Sequence, residues 1–542
     1  MADGHGAALE AAMRVISAGA ALLILTGVPG GRAEAVSVCD GFEERLIPAF
    51  DKSPFVAHSV APPYDFIPGV VADYDNDGDP DLPHLENLGG LNFQYRTEIK
   101  DLVRTVLSDT VTSPHNFHGV ASVDYDEDGW PDLVLGPYYT AGRSEMAPIL
   151  LLRNQGGWAF ELAEREFLEG LLGYSLSSQW YSETIVVADL TGDGANDLYI
   201  PFYTHTDPWQ SVFLRRTETG LAEEAVARGL AIPGVPIQWR PEGAAVADLD
   251  QDGDLDLYVA QYLFLNDGAG NFTDAAAAYG LARVFDEGAA FVDFDNDGRL
   301  DLYLRAPQAD HLLFRNTGQG FENVSVSSGL ACITEGYGYF WGDAWADYDR
   351  DGDLDLLFMV NGPQSENFRL ILNQGDGQFT LGYAQTDWFV HLAALADFDG
   401  DGDLDLDGHG TLAENVLVPA DDVVDLRVIP VSENGLANQQ GTAVRVTTLC
   451  GPDESTQTRV AGGNVVYLAQ GEYEARFALR QHCGYRITVD FPRRAGEEAV
   501  TWSKVFQPAG PEPLAVEVGR DGRLKGSDVF LNWPVYLPAF GL

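Results

Sequence analysis

The chain has 542 residues, 45% of them hydrophobic and 21% charged, which excludes a disordered polymer and is too long for one simple sandwich. With 32 Lys plus Arg against 83 Asp plus Glu, the formal net charge is −51, which excludes a nucleic-acid binder and a protein drawn to anionic membranes. Four cysteines in this length do not form a disulfide scaffold of the small secreted type.

The first predicted element is a signal peptide within residues 1–35. Arg14 gives a short positive start, Val15 to Val28 is largely apolar, and Ala33-Glu34-Ala35 is an A-x-A cleavage pattern. Asp3 and Glu10 fit a leader poorly, which moves the expected start to Met13. The apolar run is shorter than the roughly 20 residues a spanning helix needs. The sequence thus predicts a secreted or periplasmic chain without membrane insertion. Val38, where a small residue is expected, argues against a lipid anchor on Cys39.

Residues 36–420 carry the strongest signal, a pattern repeated seven times: a short apolar strand, an Asp-rich loop, then Asp-Leu and a second apolar strand. The copies start at Asp73, Asp124, Asp189, Asp248, Asp293, Asp347 and Asp397, separated by 51, 65, 59, 45, 54 and 50 residues. Loop positions 1, 3 and 5 are Asp73, Asp75 and Asp77; Asp124, Asp126 and Asp128; Asp189, Thr191 and Asp193; Asp248, Asp250 and Asp252; Asp293, Asp295 and Asp297; Asp347, Asp349 and Asp351; and Asp397, Asp399 and Asp401. Gly at position 6 permits the sharp bend, and position 7 varies freely, as a residue offering only its carbonyl would. Position 9 is always Asp: Asp81, Asp132, Asp197, Asp256, Asp301, Asp355 and Asp405. Carboxylates at 1, 3 and 5 with a carbonyl at 7 follow the logic of calcium loops, closed here at position 9. Hard oxygen ligands without His or Cys favour Ca²⁺ over zinc, and up to seven ions are expected. A single such loop is often no more than an acidic surface turn; seven in one strand context are not.

Between the loops the pattern is β. Pre-loop strands such as VVAD and AAVAD, post-loop strands such as DLYVA, and two further short strands per repeat predict propeller blades. The expectation is an all-β protein: a seven-bladed β-propeller with Ca-binding DxDxDG loops over 36–420, a small β-sandwich-like domain over 421–520, and a tail at 521–542. The seventh copy lacks a fourth strand, which Phe42 to Phe50 is expected to supply.

The D-x-D-x-D-G-x-x-D-L loops, with tails LFLNDGAGNFTDAAAAYGLA and LFRNTGQGFENVSVSSGLA, resemble FG-GAP/VCBS repeat proteins, which include integrin α-subunit propellers and the cartilage acidic protein group. The stretch NQQGTAVRV resembles the core of the ASPIC/UnbV domain, although the family's usual ending is replaced by Phe491-Pro492-Arg493-Arg494. The resemblance implies a small β-domain behind the propeller, in which Cys450 and Cys483 would pair. For Cys39 and Cys332 the sequence gives no pairing argument.

In a propeller the Asp loops mark one face, and the opposite face carries the approaches to the innermost strands. Six residues before each loop stand His118, Glu183, Glu242, Glu287, Trp341 and His391 among others; nine before stand His115, Trp180, Trp239 and Trp388. Trp180, Trp239, Trp341, Trp388, His115, His118 and His391 form the expected ligand face, suited to stacking on a sugar or clamping a peptide. The leading expectation is a calcium-binding module for an extracellular protein or polysaccharide, with no oligomeric state assigned. The alternative is an enzyme using His118, His391, Glu183, Glu242 and Glu287 on a sugar or another polar substrate. The plain alternative for all of these positions is packing between blades.

Overall fold

The computed structural model describes residue 39, residues 49–50 and, with interruptions, residues 53–526. The longer interruptions are 60–69, 96–102, 107–115, 139–148, 165–180, 203–209, 233–240, 386–393 and 464–472. Nearly every described element is a strand; two single helical turns, Ala225–Arg228 and Leu330–Thr334, are the exceptions. No described helix is long and apolar enough to cross a membrane.

Each repeat folds into its own antiparallel sheet. Repeats 2 to 6 each form four strands in sequence order, for example Ala244–Ala247, Asp256–Val259, Tyr262–Asn266 and Phe272–Asp274 in repeat 4. In repeat 1, Leu82–Glu86, Gly90–Tyr95 and Val103–Val106 pair, and an Ala72–Asp81 bridge stands where the first strand would be. The Asp loop joins first and second strands, and the position-9 Asp opens the second strand in repeats 2 to 7. In repeats 2 to 7 the described residues of the first and second strands are mostly buried on both faces, which explains their near-continuous apolar runs and their small Ala residues.

Apolar clusters join each sheet to the next. Tyr74 meets Leu133, Val134 meets Leu198, Phe213 meets Leu257, Leu263 meets Leu302, Leu313 meets Leu356, and Leu370 meets Leu406. A further cluster places Val71 of repeat 1 with Ala394, Ala396 and Leu412 of repeat 7.

The fourth strand of sheet 7 does come from the N-terminal end, but from Phe55–Ser59, not from Phe42 to Phe50. Phe55–Ser59 runs antiparallel to Thr411–Asn415, with Phe55 opposite Asn415. The Phe55 ring packs edge-on against Tyr348 and Phe368 of repeat 6. Upstream, the Ala49 and Phe50 amides donate to Leu381 and Gly382 at the outer edge of sheet 6. Farther upstream, Cys39 forms a disulfide with Cys332 in the Leu330–Thr334 turn, 293 residues away. The N-terminal segment thus straps three consecutive repeats, and FVAHS fits the edge of sheet 7 because Phe55 fills the sheet 6–7 cluster.

The second unit spans Val423 to Gly526 and contains two four-stranded sheets facing one core of Val, Leu, Phe and Tyr side chains. Val423–Val431 lies between Ala475–Arg480 and, in parallel, Leu514–Gly519; Leu524–Gly526 completes that sheet. Cys450 and Cys483 are joined.

Phe55→Ala is expected to cost about 3–5 kcal/mol in denaturant unfolding, the range for emptying a buried aromatic site. A change below about 1 kcal/mol would show that the strap does not hold sheets 6 and 7 together.

Candidate metal centre: the aspartate loops

The seven loops share one hydrogen-bonding scheme. The position-9 carboxylate is almost fully buried in all seven, and one of its oxygens accepts the position-2 or position-3 amide of its own loop. Examples are Tyr74 to Asp81 at 2.8 Å, Leu249 to Asp256 at 3.0 Å and Phe398 to Asp405 at 2.9 Å. In repeats 2 to 7 its other oxygen accepts an amide at the end of the third strand, such as Asn316 to Asp301 at 2.6 Å and Asn373 to Asp355 at 2.8 Å. At position 1, Asp124, Asp248, Asp293 and Asp347 accept the amides of positions 5 and 6. Position 5 accepts the amide of position 7, as Asp252 does from Asp254 at 3.0 Å. The turn needs left-handed backbone twice: at Gly253 (φ 99°) in position 6 and at Gln251 (φ 62°) in position 4, with matching values in the neighbouring loops.

Two sets of residues that sequence reasoning did not single out join the loops to one another. The position-4 side chain reaches forward: Asn76 donates to Gly129 O at 3.2 Å, and Arg350 stands 3.6 Å from the Asp403 carboxylate. The Asn ending the third strand reaches back: Asn154 to Tyr74 O at 2.8 Å, Asn266 to Leu190 O at 3.0 Å, Asn373 to Phe294 O at 2.7 Å and Asn415 to Tyr348 O at 3.1 Å. The signal was visible as a recurrent Asn in LLLRN, LFLND, LLFRN and LILNQ.

In five loops, three of the four predicted ligand residues lie together. In the groups Asp73/Asp75/Asp81, Asp124/Asp126/Asp132, Asp248/Asp250/Asp256, Asp293/Asp295/Asp297 and Asp347/Asp349/Asp351, one oxygen from each residue lies within 4.8 Å of the others. That span is about twice a Ca–O bond. Asp77 lies outside the described residues. Position 3 carries a buried carboxylate oxygen without a hydrogen-bond partner in three repeats: Asp126 Oδ1, Asp295 Oδ1 and Asp349 Oδ1. Buried oxygens rarely go unpaired, so the donor set fits a hard cation. Burial first, and neighbouring aspartates after it, push the carboxyls up: Asp124 and Asp189 to about 6, Asp132, Asp248 and Asp293 to about 7, Asp256 and Asp405 to about 8.

At the opposite end of the first strands, the structure brings together some of the expected face. His118 Nδ1 lies 3.9 Å from Glu183 Oε1, both nearly buried. Glu242 and Glu287 each stand 3.4 Å from the guanidinium of fully buried Arg305, which sequence reasoning missed. Arg305 offsets two of the candidate acids and ties repeat 4 to repeat 5, the packing role expected of a repeat position. Next to it, buried Tyr303 donates to Asp343 at 2.9 Å and contacts His311, whose ring burial holds unprotonated with a pKa lowered to about 3. His115, Trp180, Trp239, Trp388 and His391 lie outside the described residues, as does the side chain of Trp341.

The second unit lies against the Asp loops. Arg493 forms a two-pronged pair with Asp254 (3.0 and 2.6 Å), the Thr458 amide donates to Asp293 Oδ2 at 2.8 Å, and Arg476 stands 3.5 Å from Asp397. Arg350 of loop 6 pairs with Asp425.

Two predictions follow from these contacts. Asn373→Ala strips donors from two buried carbonyls and is expected to cost about 1–3 kcal/mol in denaturant unfolding; a neutral effect would show that the backward link carries no load. A carboxyl whose folded pKa is raised stabilises the fold below its unfolded value near 4, and that contribution is lost as pH climbs through the folded value. Stripped of divalent cations, the protein should therefore lose stability between about pH 5 and pH 8, with that loss suppressed by added cation. A cation-free protein that is firmer at pH 8 than at pH 5 would contradict this.

Comparison with known families places the FG-GAP-like repeat on residues 124–200, 248–304 and 347–406, which hold loops 2 to 7, and the FG-GAP repeat on residues 285–326. No curated protein matches the chain significantly. Among solved structures, BBS1N in complex with ARL6DN is similar at 11% identity and TM-score 0.41, covering 67% of this chain and 96% of that one. The fucose-specific lectin from Aleuria aurantia is similar at 9% identity and TM-score 0.32, covering 59% and 95%. At such scores neither bears on function. The matched segments fall on the loops and the sheets they join: the chain carries FG-GAP repeats, on the segments that hold aspartate loops 2 to 7.

Proposed function

We propose that the chain is an exported, calcium-stabilised seven-bladed β-propeller that binds an extracellular protein or polysaccharide through the face opposite its Asp loops. Ring closure is supported by the cluster joining Val71 to Ala394, Ala396 and Leu412, which links the last repeat to the first. Calcium is supported by the unpaired position-3 carboxylate oxygens of Asp126, Asp295 and Asp349 in three of the turns. Two disulfides suit an oxidising compartment and support export. The second unit is the counterpart of the ASPIC/UnbV-like domain.

The observation that carries the choice of face is the seat of the second unit. It rests on the Asp loops, so the opposite face is the one left for a partner. Arg305 between Glu242 and Glu287 favours binding over catalysis there, because a charge-paired acid is a poor general acid or base.

Calorimetric titration should show several calcium sites, with affinities near the 10⁻⁴–10⁻³ M of extracellular modules. Chelation should lower the melting temperature by about 10 °C or more, the equivalent of several kcal/mol. Asp252→Ala and Asp351→Ala should lower it more than Thr191→Ala, and equal melting with calcium and with chelator would refute the calcium reading. For the binding face, Trp239→Ala with Trp388→Ala should weaken a partner found on glycan or protein arrays by about tenfold, or 1.4 kcal/mol. A partner insensitive to that pair but sensitive to charge changes around loops 1 and 2 would contradict the choice of face.

A further inference from the structure

The contacts of the second unit repeat with the period of the loops. In loop 4 the Arg493 amide donates to Gly253 O at 2.6 Å, and in loop 5 the Thr458 hydroxyl donates to Gly298 O at 3.1 Å. In loop 6 the Arg459 guanidinium donates to Gly352 O at 3.1 Å, and in loop 7 the Arg476 guanidinium donates to Gly402 O at 3.3 Å. All four acceptors are the carbonyl at loop position 6. In loop 3 the Ala495 amide takes the position-4 carbonyl, Gly192 O.

That choice of acceptor matters. The oxygens turned toward a cation are the side chains at positions 1, 3, 5 and 9 and the carbonyl at 7. The position-6 carbonyl is not among them, so through it the second unit grips the outer contour of the turn; at the shell itself it touches two position-1 carboxylates, Asp293 through the Thr458 amide and Asp397 through Arg476. The fit is close. A Cβ added at Gly194, Gly253, Gly298, Gly352 or Gly402 would meet Arg494, Arg493, Thr456, Gln457 or Asp425, at 3.2, 3.4, 3.4, 2.9 and 3.0 Å. A Cβ at Gly129 in loop 2 would meet nothing within 4 Å. The second unit reaches repeat 2 through Tyr473 Oη, which donates to Ser122 O at 2.7 Å, on the strand and not on the loop.

We propose that the second unit is a clasp that docks on loops 3 to 7 only in their cation-ordered turn, and that loop 2 stays unclasped. This rests on the calcium reading of the loops. One rigid sandwich can satisfy five backbone acceptors at once only if all five turns hold the same contour, because a hydrogen bond is lost beyond a few tenths of an ångström and tens of degrees. Clustered carboxylates without a cation repel and splay the turn. Docking and cation binding at loops 3 to 7 are then thermodynamically linked, and the linkage is reciprocal: what weakens the clasp must weaken the ions beneath it.

Hydrogen exchange on the full chain tests this, with calcium content measured in the same samples. When chelator has removed the calcium, segments 456–460 and 492–496 should exchange about tenfold faster or more, as a locally opened unit does, while Tyr485–Phe491 in the sandwich core keeps its protection. Arg493→Ala removes no cation ligand. It should weaken calcium about fivefold or more at one class of sites and leave the sites outside the clasp unchanged. Thr458→Val is the second variant, with the same expectation, should the first fold poorly. Docking segments that stay protected once calcium is gone overturn the clasp while leaving the calcium reading intact, as does a variant that leaves all the sites unchanged or shifts them all alike. A chain that takes up no calcium removes the reading and the clasp together.

Discussion

One buried carboxylate per repeat organises this molecule. The position-9 aspartate takes one amide from its own loop and, in repeats 2 to 7, a second from the end of the third strand, so it joins three segments of the repeat at one point. A carboxylate is suited to this because it has two oxygens and roughly four acceptor directions, which leaves capacity for a further partner. Charge-assisted bonds to backbone amides are also stronger than neutral ones. The burial that gives these bonds their strength also makes the charge expensive, and the three to five aspartates of each loop together call for a counter-ion.

The same economy links neighbouring repeats. The third-strand Asn sits beside the position-9 carboxylate and donates its side-chain amide to the loop of the preceding repeat. The position-4 side chain reaches the loop of the following one. Beneath these polar links lie the apolar clusters between sheets, each repeat burying its neighbour's strands as repeat architectures require. The N-terminal strap adds a covalent tie, because Cys39 and Cys332 hold a chain segment that would otherwise close over nearly 300 residues of entropy.

Much of the loop chemistry was legible in the sequence because it is local. Asp at 1, 3, 5 and 9 with Gly at 6 is a requirement on ten consecutive residues, and its recurrence names both the element and its surroundings. The missing pieces are non-local or chemically quiet. A lone Asn after a strand reads as a turn signal, so the backward link of Asn373 to Phe294 O was invisible without the neighbouring repeat. Any short apolar segment satisfies an edge strand, so FEERLIPAF was the segment expected there, and only the packing of Phe55 on Tyr348 shows why FVAHS takes the place. Arg305 gave no signal at all, being one arginine at the end of a strand; its role comes from the two glutamates that flank it in space. The seat of the sandwich on the loops likewise depends on arginines more than a hundred residues from their acceptors.

The central claim is that each aspartate turn is a cation shell. The measurement that addresses it most directly is a crystal structure grown with calcium, with anomalous scattering collected at long wavelength. The account predicts an anomalous peak in each of the seven loops, 2.3–2.6 Å from the oxygens at positions 1, 3 and 5. Ordered loops that hold only water in a calcium-containing crystal, their position-3 oxygens satisfied by hydrogen bonds, would contradict it.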